Sequence, residues 1–281
     1  MIISYKYRVY PNRAQEAALD EMLRDFCELY NAALEERIGA WKRGILLNYQ
    51  GQAAHLPKLR RDLPKQGRWS AAAQQQVLRR LDKAYKAFFG RLRRGAGAGF
   101  PRFRTQTRYH AADFRMGSGM SLRKSGKLRI VGVSGEIKVR WHREMPSKPK
   151  SAILTRQAGK WYVVFHVEVE AIERAGPDCV GVDFGLTSLA ALSNGEMIAR
   201  PNWTNRAAKG MRRRQRAVAR CKRRSKTQRK RGAALAKYHA RIGNRRRDFC
   251  HKLTRDLVNR FGRIAVEDLN IKGLAAGMLA K

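Results

Sequence analysis

Residues 179–186 read CVGVDFGL and residues 264–268 read IAVED, two short apolar runs that each close on a carboxylate, Asp183 in the first and Glu267 in the second. Runs of this length, bounded by Pro177 and by Gly262, have the composition of short buried strands. In an open α/β sheet, ligands bind in the crevice beyond the C-terminal ends of the strands. If the two strands are neighbours, both carboxylates face one point and can hold a divalent cation. Clustered acids of this kind support phosphodiester cleavage, in which a pair of metals activates the attacking water and stabilises the leaving oxygen. Spacing alone leaves a second reading open, in which both acids are solvated strand ends. Asp268 alternates away from Glu267 and is assigned a structural role.

Between the two runs, residues 189–192 and Met197-Ile198 predict two further strands joined through an Asn194-Gly195 hairpin turn. A long helical region follows. No acidic residue lies between Glu196 and Asp248, and residues 206–231 hold 14 Lys and Arg. Arg206, Lys209, Arg212, Arg213, Arg214, Arg216, Arg220, Lys222, Arg223, Arg224, Lys226, Arg229, Lys230 and Arg231 are therefore the candidate phosphate contacts. An ordinary solvated helix face mixes both signs of charge, and this one does not. The second half carries an apolar stripe of Leu235, Tyr238, Ile242, Phe249, Leu253 and Leu257, so it packs against something.

The whole chain is basic, with 61 Lys and Arg against 22 Asp and Glu, a formal charge of +39 over 281 residues. A polyanion supplies the missing charge most simply, because side chains that neutralise phosphates release condensed counterions. Nucleic acid is the expected partner, ahead of a ribosomal-type structural role or a membrane surface. At 43% apolar residues the chain can bury a core and is not disordered. The opening MIISYKYRVY lacks the pattern of a signal peptide, and no apolar run approaches a membrane span. Cys27, Cys179, Cys221 and Cys250 form no CxxC pair, which predicts neither a zinc site nor a disulfide framework. A cytoplasmic setting is expected.

Towards the N-terminus, Tyr5, Tyr7 and Val9 alternate with charged residues as in a half-buried strand. A helix after Pro11-Asn12 has the face Leu19, Met22, Phe26, Tyr30, Ala33 and Trp41. A looser stretch around Gly44, Gly51, Pro57, Pro64 and Gly67 follows, and Ser70 caps a second helix with Val77, Leu81, Tyr85, Phe88 and Leu92. The glycine-rich run 95–99 ends that unit. Residues 127–141 then predict two strands around Gly132–Gly135, with Ile137, Val139 and Trp141 on one face, and residues 152–169 a hairpin through Gly159. These short antiparallel strands imply a small barrel or sandwich. If the first strand joins it, the helical pair is an insertion.

Several ordered motifs resemble the transposon-encoded TnpB family. VGVDFGLTSLAALSNGEMIARPNW (180–203) is similar to its first RuvC motif and IAVEDLNIKGL (264–274) to its second. RRSKTQRKR (223–231) and HARIGNRRRDFCHKLT (239–254) resemble its basic linking helix. YKYRVYPNRAQEAALDEMLRDFCELYNAAL (5–34), GFPRFR (99–104) and KWYVVFHVEVE (160–170) are also family-like. The resemblance implies a multidomain α+β chain: a wedge-like antiparallel β-barrel from residues 1–10 and 100–172, a helical recognition insertion over 11–99, and an incomplete RNase H-like (RuvC) domain over 173–281. It implies an RNA-guided DNA endonuclease of a prokaryotic mobile element, working beside the nucleoid with guide RNA and target DNA as partners. Asp183 and Glu267 would be catalytic ligands of Mg²⁺ or Mn²⁺. Gln74 and Lys83 would lie on the helix near the DNA duplex, where glutamine can read an adenine edge.

The sequence also departs from the family. Its members continue into a zinc ribbon with two CxxC pairs and a third RuvC acid, whereas no Asp or Glu follows Asp268 here. The expectation is a cleavage-defective chain that binds its metal weakly, has no zinc site and leaves one edge of the RuvC sheet uncovered. The alternative is a catalytically inactive RNA- or DNA-binding protein, a guide-RNA binder or a repressor.

Overall fold

The alternating N-terminal residues form a strand, β1 (Ile2–Tyr10), and Asn12 caps the helix α1 (Arg13–Lys42) by accepting from the Gln15 backbone N–H at 2.8 Å while the Gln15 side chain returns the bond. Further along lie α2 (Tyr49–Asp62), the single turn α3 (Pro64–Gly67) and α4 (Ala71–Arg93), then β2 (Ala111–Met116), β3 (Gly119–Leu122), β4 (Leu128–Ile130), β5 (Lys138–Arg140), β6 (Ser151–Gln157) and β7 (Lys160–Glu168). In this computed structural model, residues 1–170, 178–185 and 188–270 are described. The chain divides into two compact units, Met1–Glu170 and Ala171–Lys281; the junction expected at 172/173 lies outside the described residues.

In the first unit the seven strands run β4-β3-β2-β6-β7-β1-β5. Mutual backbone bonds between Leu128 and Ile137, at 2.9 and 2.8 Å, draw β4 towards the entrance of β5 and nearly close the sheet. Tyr7, Phe114, Leu128, Leu154, Trp161, Val163 and Phe165 fill its core. β1 sits between β7 and β5, so α1 to α4 are inserted between the first strand and the rest. The pairing is antiparallel except where β2 meets β3 in parallel over two residues.

Three local expectations are corrected. The looser stretch contains a helix, α2, because Asn48 caps it and Gln52 anchors it to α1, donating to the Ala33 carbonyl at 2.8 Å. Trp41 is 71% exposed although it shares a side of α1 with the buried Leu34 and Arg37, because burial along the helix ends at Ala40, in its last turn. Leu92 is exposed as well, because burial along α4 ends at Leu81.

The second unit contains β8 (Cys179–Asp183), β9 (Ala190–Leu192), β10 (Met197–Ile198), α5 (Trp203–Ala219), α6 (Lys226–Arg260) and β11 (Arg263–Val266). Its sheet runs β10-β9-β8-β11, with β8 and β11 parallel. Val180, Val182, Ala190, Leu192 and Ile198 cluster with Leu257, Leu253 and Phe249 of α6, so the lower half of the α6 stripe covers one face of the sheet. The upper half meets α5, where Tyr238 donates to the Ala207 carbonyl at 3.3 Å. Gly210 makes this possible, since a Cβ there would lie 2.6 Å from the Tyr238 hydroxyl. β11, expected to be buried, is exposed along its length, because among the described residues it is an edge strand paired only with β8.

Candidate active site and nucleic-acid interface

Register places the two carboxylates. Val182 pairs with Val266 across the parallel β8–β11 ladder, so Asp183, the last residue of β8, and Glu267, one step beyond β11, leave adjacent strands at the same level. Alternation puts Gly181, Ala191, Ser193 and Ala265 on the same side of the sheet as the two acids, and all of them line one open cavity of about 430 Å³. The floor is made of small side chains, whereas the opposite side carries the valines and leucines that pack on α6. Ser193 is fixed by its own strand neighbour, its Oγ accepting from the Gly181 N–H at 2.9 Å. This pattern of small residues at every second position was present in the sequence but unread, as was Ser193 itself.

Two carboxylates with a hydroxyl nearby are hard oxygen donors of the kind that suit a hard divalent cation. Among the described residues no group of three or more His, Cys, Asp or Glu comes together. The two carboxylates are a donor set of the kind that suits one such cation, with water completing its coordination.

The basic segment is a helical hairpin. Arg212, Arg213, Arg216, Arg220, Lys222, Arg223, Arg224, Lys226, Arg229 and Lys230 are all exposed, as are Arg206, Lys209 and Arg231. Arg220 to Arg224 sit at the tip between α5 and α6, and Ser225 caps α6 by accepting from the Gln228 N–H at 3.0 Å. The first turn of α6 has no acid to balance its partial positive charge, so Lys226 and Arg229 reinforce it. That arrangement costs stability for the isolated chain and attracts an anion. Two members of the predicted set also hold the hairpin together. Arg214 stacks 4.1 Å from the Tyr238 ring centroid and donates to the Gly210 carbonyl, and Arg231 donates to the Ala217 carbonyl at 3.0 Å. At the foot of α6, Arg260 clasps Glu196 of the β9–β10 hairpin at 2.5 Å, which holds that carboxyl below its ordinary range.

Gln74 requires a correction. It is fully buried, its Nε2 donating to the Gln66 carbonyl and to Gln66 Oε1, both at 2.9 Å, while its Oε1 accepts from Arg60. No amide group is left for a base edge. Arg60 also donates to the carbonyls of Trp69 and Gly67, and Trp69 Nε1 donates to Asp25 at 2.6 Å, so Gln74 belongs to a polar knot tying α1, α2, α3 and α4 together. Lys83 is exposed on α4.

Comparison with known proteins meets this geometry at both ends of the chain. A "Putative RNA-guided DNA endonuclease" of Streptomyces pristinaespiralis is 31% identical over 286 aligned residues, covering 99% of this chain and 70% of the relative. The chain belongs to the OrfB_IS605 transposase family. That family, described as "Probable transposase", matches residues 162–277, and its companion "Helix-turn-helix domain" matches residues 1–45, which here form β1 and α1. InsQ of Escherichia coli K12, described in the same words as the Streptomyces protein, is 27% identical over 99% of this chain and 69% of its own. A cryo-EM structure of a Cas12f1–sgRNA–target DNA complex is similar at a TM-score of 0.48 and 15% identity, covering 91% of this chain and 65% of that one, too distant a likeness for inference about residues. The chain is thus a transposon-associated, nucleic-acid-binding protein of TnpB type.

Proposed function

We propose that this chain is an RNA-guided, metal-dependent DNA endonuclease by descent, with the second unit an RNase H-like nuclease domain of RuvC type. The first unit is then a wedge-like barrel bearing a helical recognition insertion. Guide RNA and target DNA are the polyanions that offset its charge. The observation that carries this reading is the register of β8 and β11, which sets Asp183 and Glu267 side by side over a floor of small residues. These two side chains would hold Mg²⁺ or Mn²⁺, which when bound supplies charge stabilisation at a phosphodiester. The protein's own part is to fix the two carboxylates on rigid strands and to leave the space above them open.

A pair of carboxylates does not supply the oxygens that two metals need, so the 281-residue chain binds nucleic acid without guided cutting. The test supplies, fused or in trans, the part of the Streptomyces relative outside the matched 70%. Guided cleavage should then appear, and Asp183→Ala or Glu267→Ala should abolish it. Robust guided cleavage by the chain alone, or rescued cleavage that survives Asp183→Ala, would overturn the proposal. The second reading, a binder that holds RNA or occupies DNA without catalysis, is favoured by the presence of only two clustered acids among the described residues. Rescue failing while binding persists would select it.

A further inference from the structure

A second cavity in the same unit lies apart from the carboxylates, where the start of α5 meets α6. Its volume is about 250 Å³. Trp203 and Phe249 form its aromatic wall, in edge-to-face contact with centroids 5.2 Å apart, and Leu189 adds an apolar side. Arg200, Asn205 and Arg246, all exposed, line the rest together with Pro201, Asn202 and Cys250. The cavity is smaller than the pockets that enclose whole cofactors, which run from about 300 to 1,000 Å³. An indole wall, hydrogen-bonding groups and guanidinium groups are the chemistry that receives one base by stacking and its phosphate by charge.

We propose that this cavity receives a single unstacked nucleotide of the bound strand, its base against Trp203 and its phosphate against Arg200 and Arg246. The inference rests on the reading of the chain as a nucleic-acid binder and adds a site to it. A base-paired nucleotide presents no free face, so the cavity takes single-stranded segments, loops or ends and is indifferent to continuous duplex. Stacking on one aromatic tolerates any base, so the cavity positions a strand more than it reads a sequence.

Trp203 is the one tryptophan of the second unit, the others being Trp41, Trp69, Trp141 and Trp161, which makes it a reporter. The full chain is titrated with a 20-nucleotide single-stranded RNA, the matching DNA strand, the annealed DNA duplex and an abasic strand of the same length, following tryptophan emission and affinity. Single strands should quench emission, duplex and abasic strands should not, and the stronger of the two single strands identifies the source as RNA or DNA. Trp203→Phe should remove the quench while retaining most affinity. Trp203→Ala should weaken single-strand binding by about tenfold with duplex binding unchanged. Thermal melting establishes that both variants fold, and Trp203→Phe keeps the test intact if the alanine variant does not. A quench that persists in Trp203→Phe, or a folded Trp203→Ala variant whose single-strand affinity equals that of wild type, would overturn the inference and leave nucleic-acid binding standing. Failure of the wild-type chain to bind any strand would remove the parent reading and this one together.

Discussion

Two arginines of the inserted helices and the exposed arginines of the α5–α6 hairpin are chemically the same and do opposite work. In the first unit Arg37 is only 7% exposed, paired with Asp82 at 3.2 Å and with Gln52 at 2.7 Å, and Arg80 bridges Asp113 and the Ala111 carbonyl at 2.9 and 3.0 Å. Each carries its charge inward because an acid or carbonyl on a neighbouring element meets it. In the hairpin, no acid falls between Glu196 and Asp248, so the guanidinium groups face solvent unless a carbonyl or ring happens to be adjacent, as for Arg214 and Arg231. What an arginine does here is decided by its neighbours, and the missing acids leave the positive charge of the hairpin uncompensated within the chain.

The sharpest way to break that contrast is to neutralise the exposed set alone. Arg212, Arg213, Arg220, Arg223 and Arg224 changed together to Gln should lower affinity for single-stranded RNA at low salt by about a hundredfold or more and flatten the salt dependence, with the melting temperature unchanged. Equal affinity and slope would reduce the hairpin to a solvated surface. The reciprocal experiment acts on the buried knot. Gln74→Leu removes one hydrogen-bond partner from Arg60 and the partner of the Gln66 Oε1 inside the knot and should cost about 1–3 kcal/mol in urea unfolding, while nucleic-acid affinity stays as it was. Undiminished stability with weakened binding would return Gln74 to the interface.

The smallest expected effect concerns the acid in that knot. Burial pushes Asp25 above its ordinary value of 3.8, the Trp69 hydrogen bond opposes the rise, and the Glu21 and Glu28 carboxylates add to it. Because the folded-state value is the higher one, the folded form binds the proton more tightly. The resulting stabilisation is complete below 3.8 and disappears as pH rises through the folded value. Asp25→Asn keeps an acceptor for Trp69 and loses that decline, so its melting temperature relative to wild type should rise across the acid range and then level off. A constant difference at every pH would show that Asp25 does not titrate differently on folding.

Much of this protein was determined by the sequence itself. The period-two patterns of residues 2–10 and 152–169, the caps Asn12 and Ser70, the turn at Asn194-Gly195 and the two acid-ended strands are local signals, and each appears where its chemistry requires. Periodicity and capping act over a few residues, and for that reason they can be read from one chain. The tertiary structure decided what depends on a distant neighbour. Only pairing of residues some 84 positions apart sets Asp183 beside Glu267, and only the position of β11 at the sheet edge among the described residues leaves Ile264 and Val266 exposed despite their composition. Likewise, Gln74 resembles its neighbours Gln75 and Gln76 in sequence and is buried because Arg60 and Gln66 arrive from other helices to satisfy it. Burial of a polar group is permitted only where partners converge, and convergence is a property of the fold.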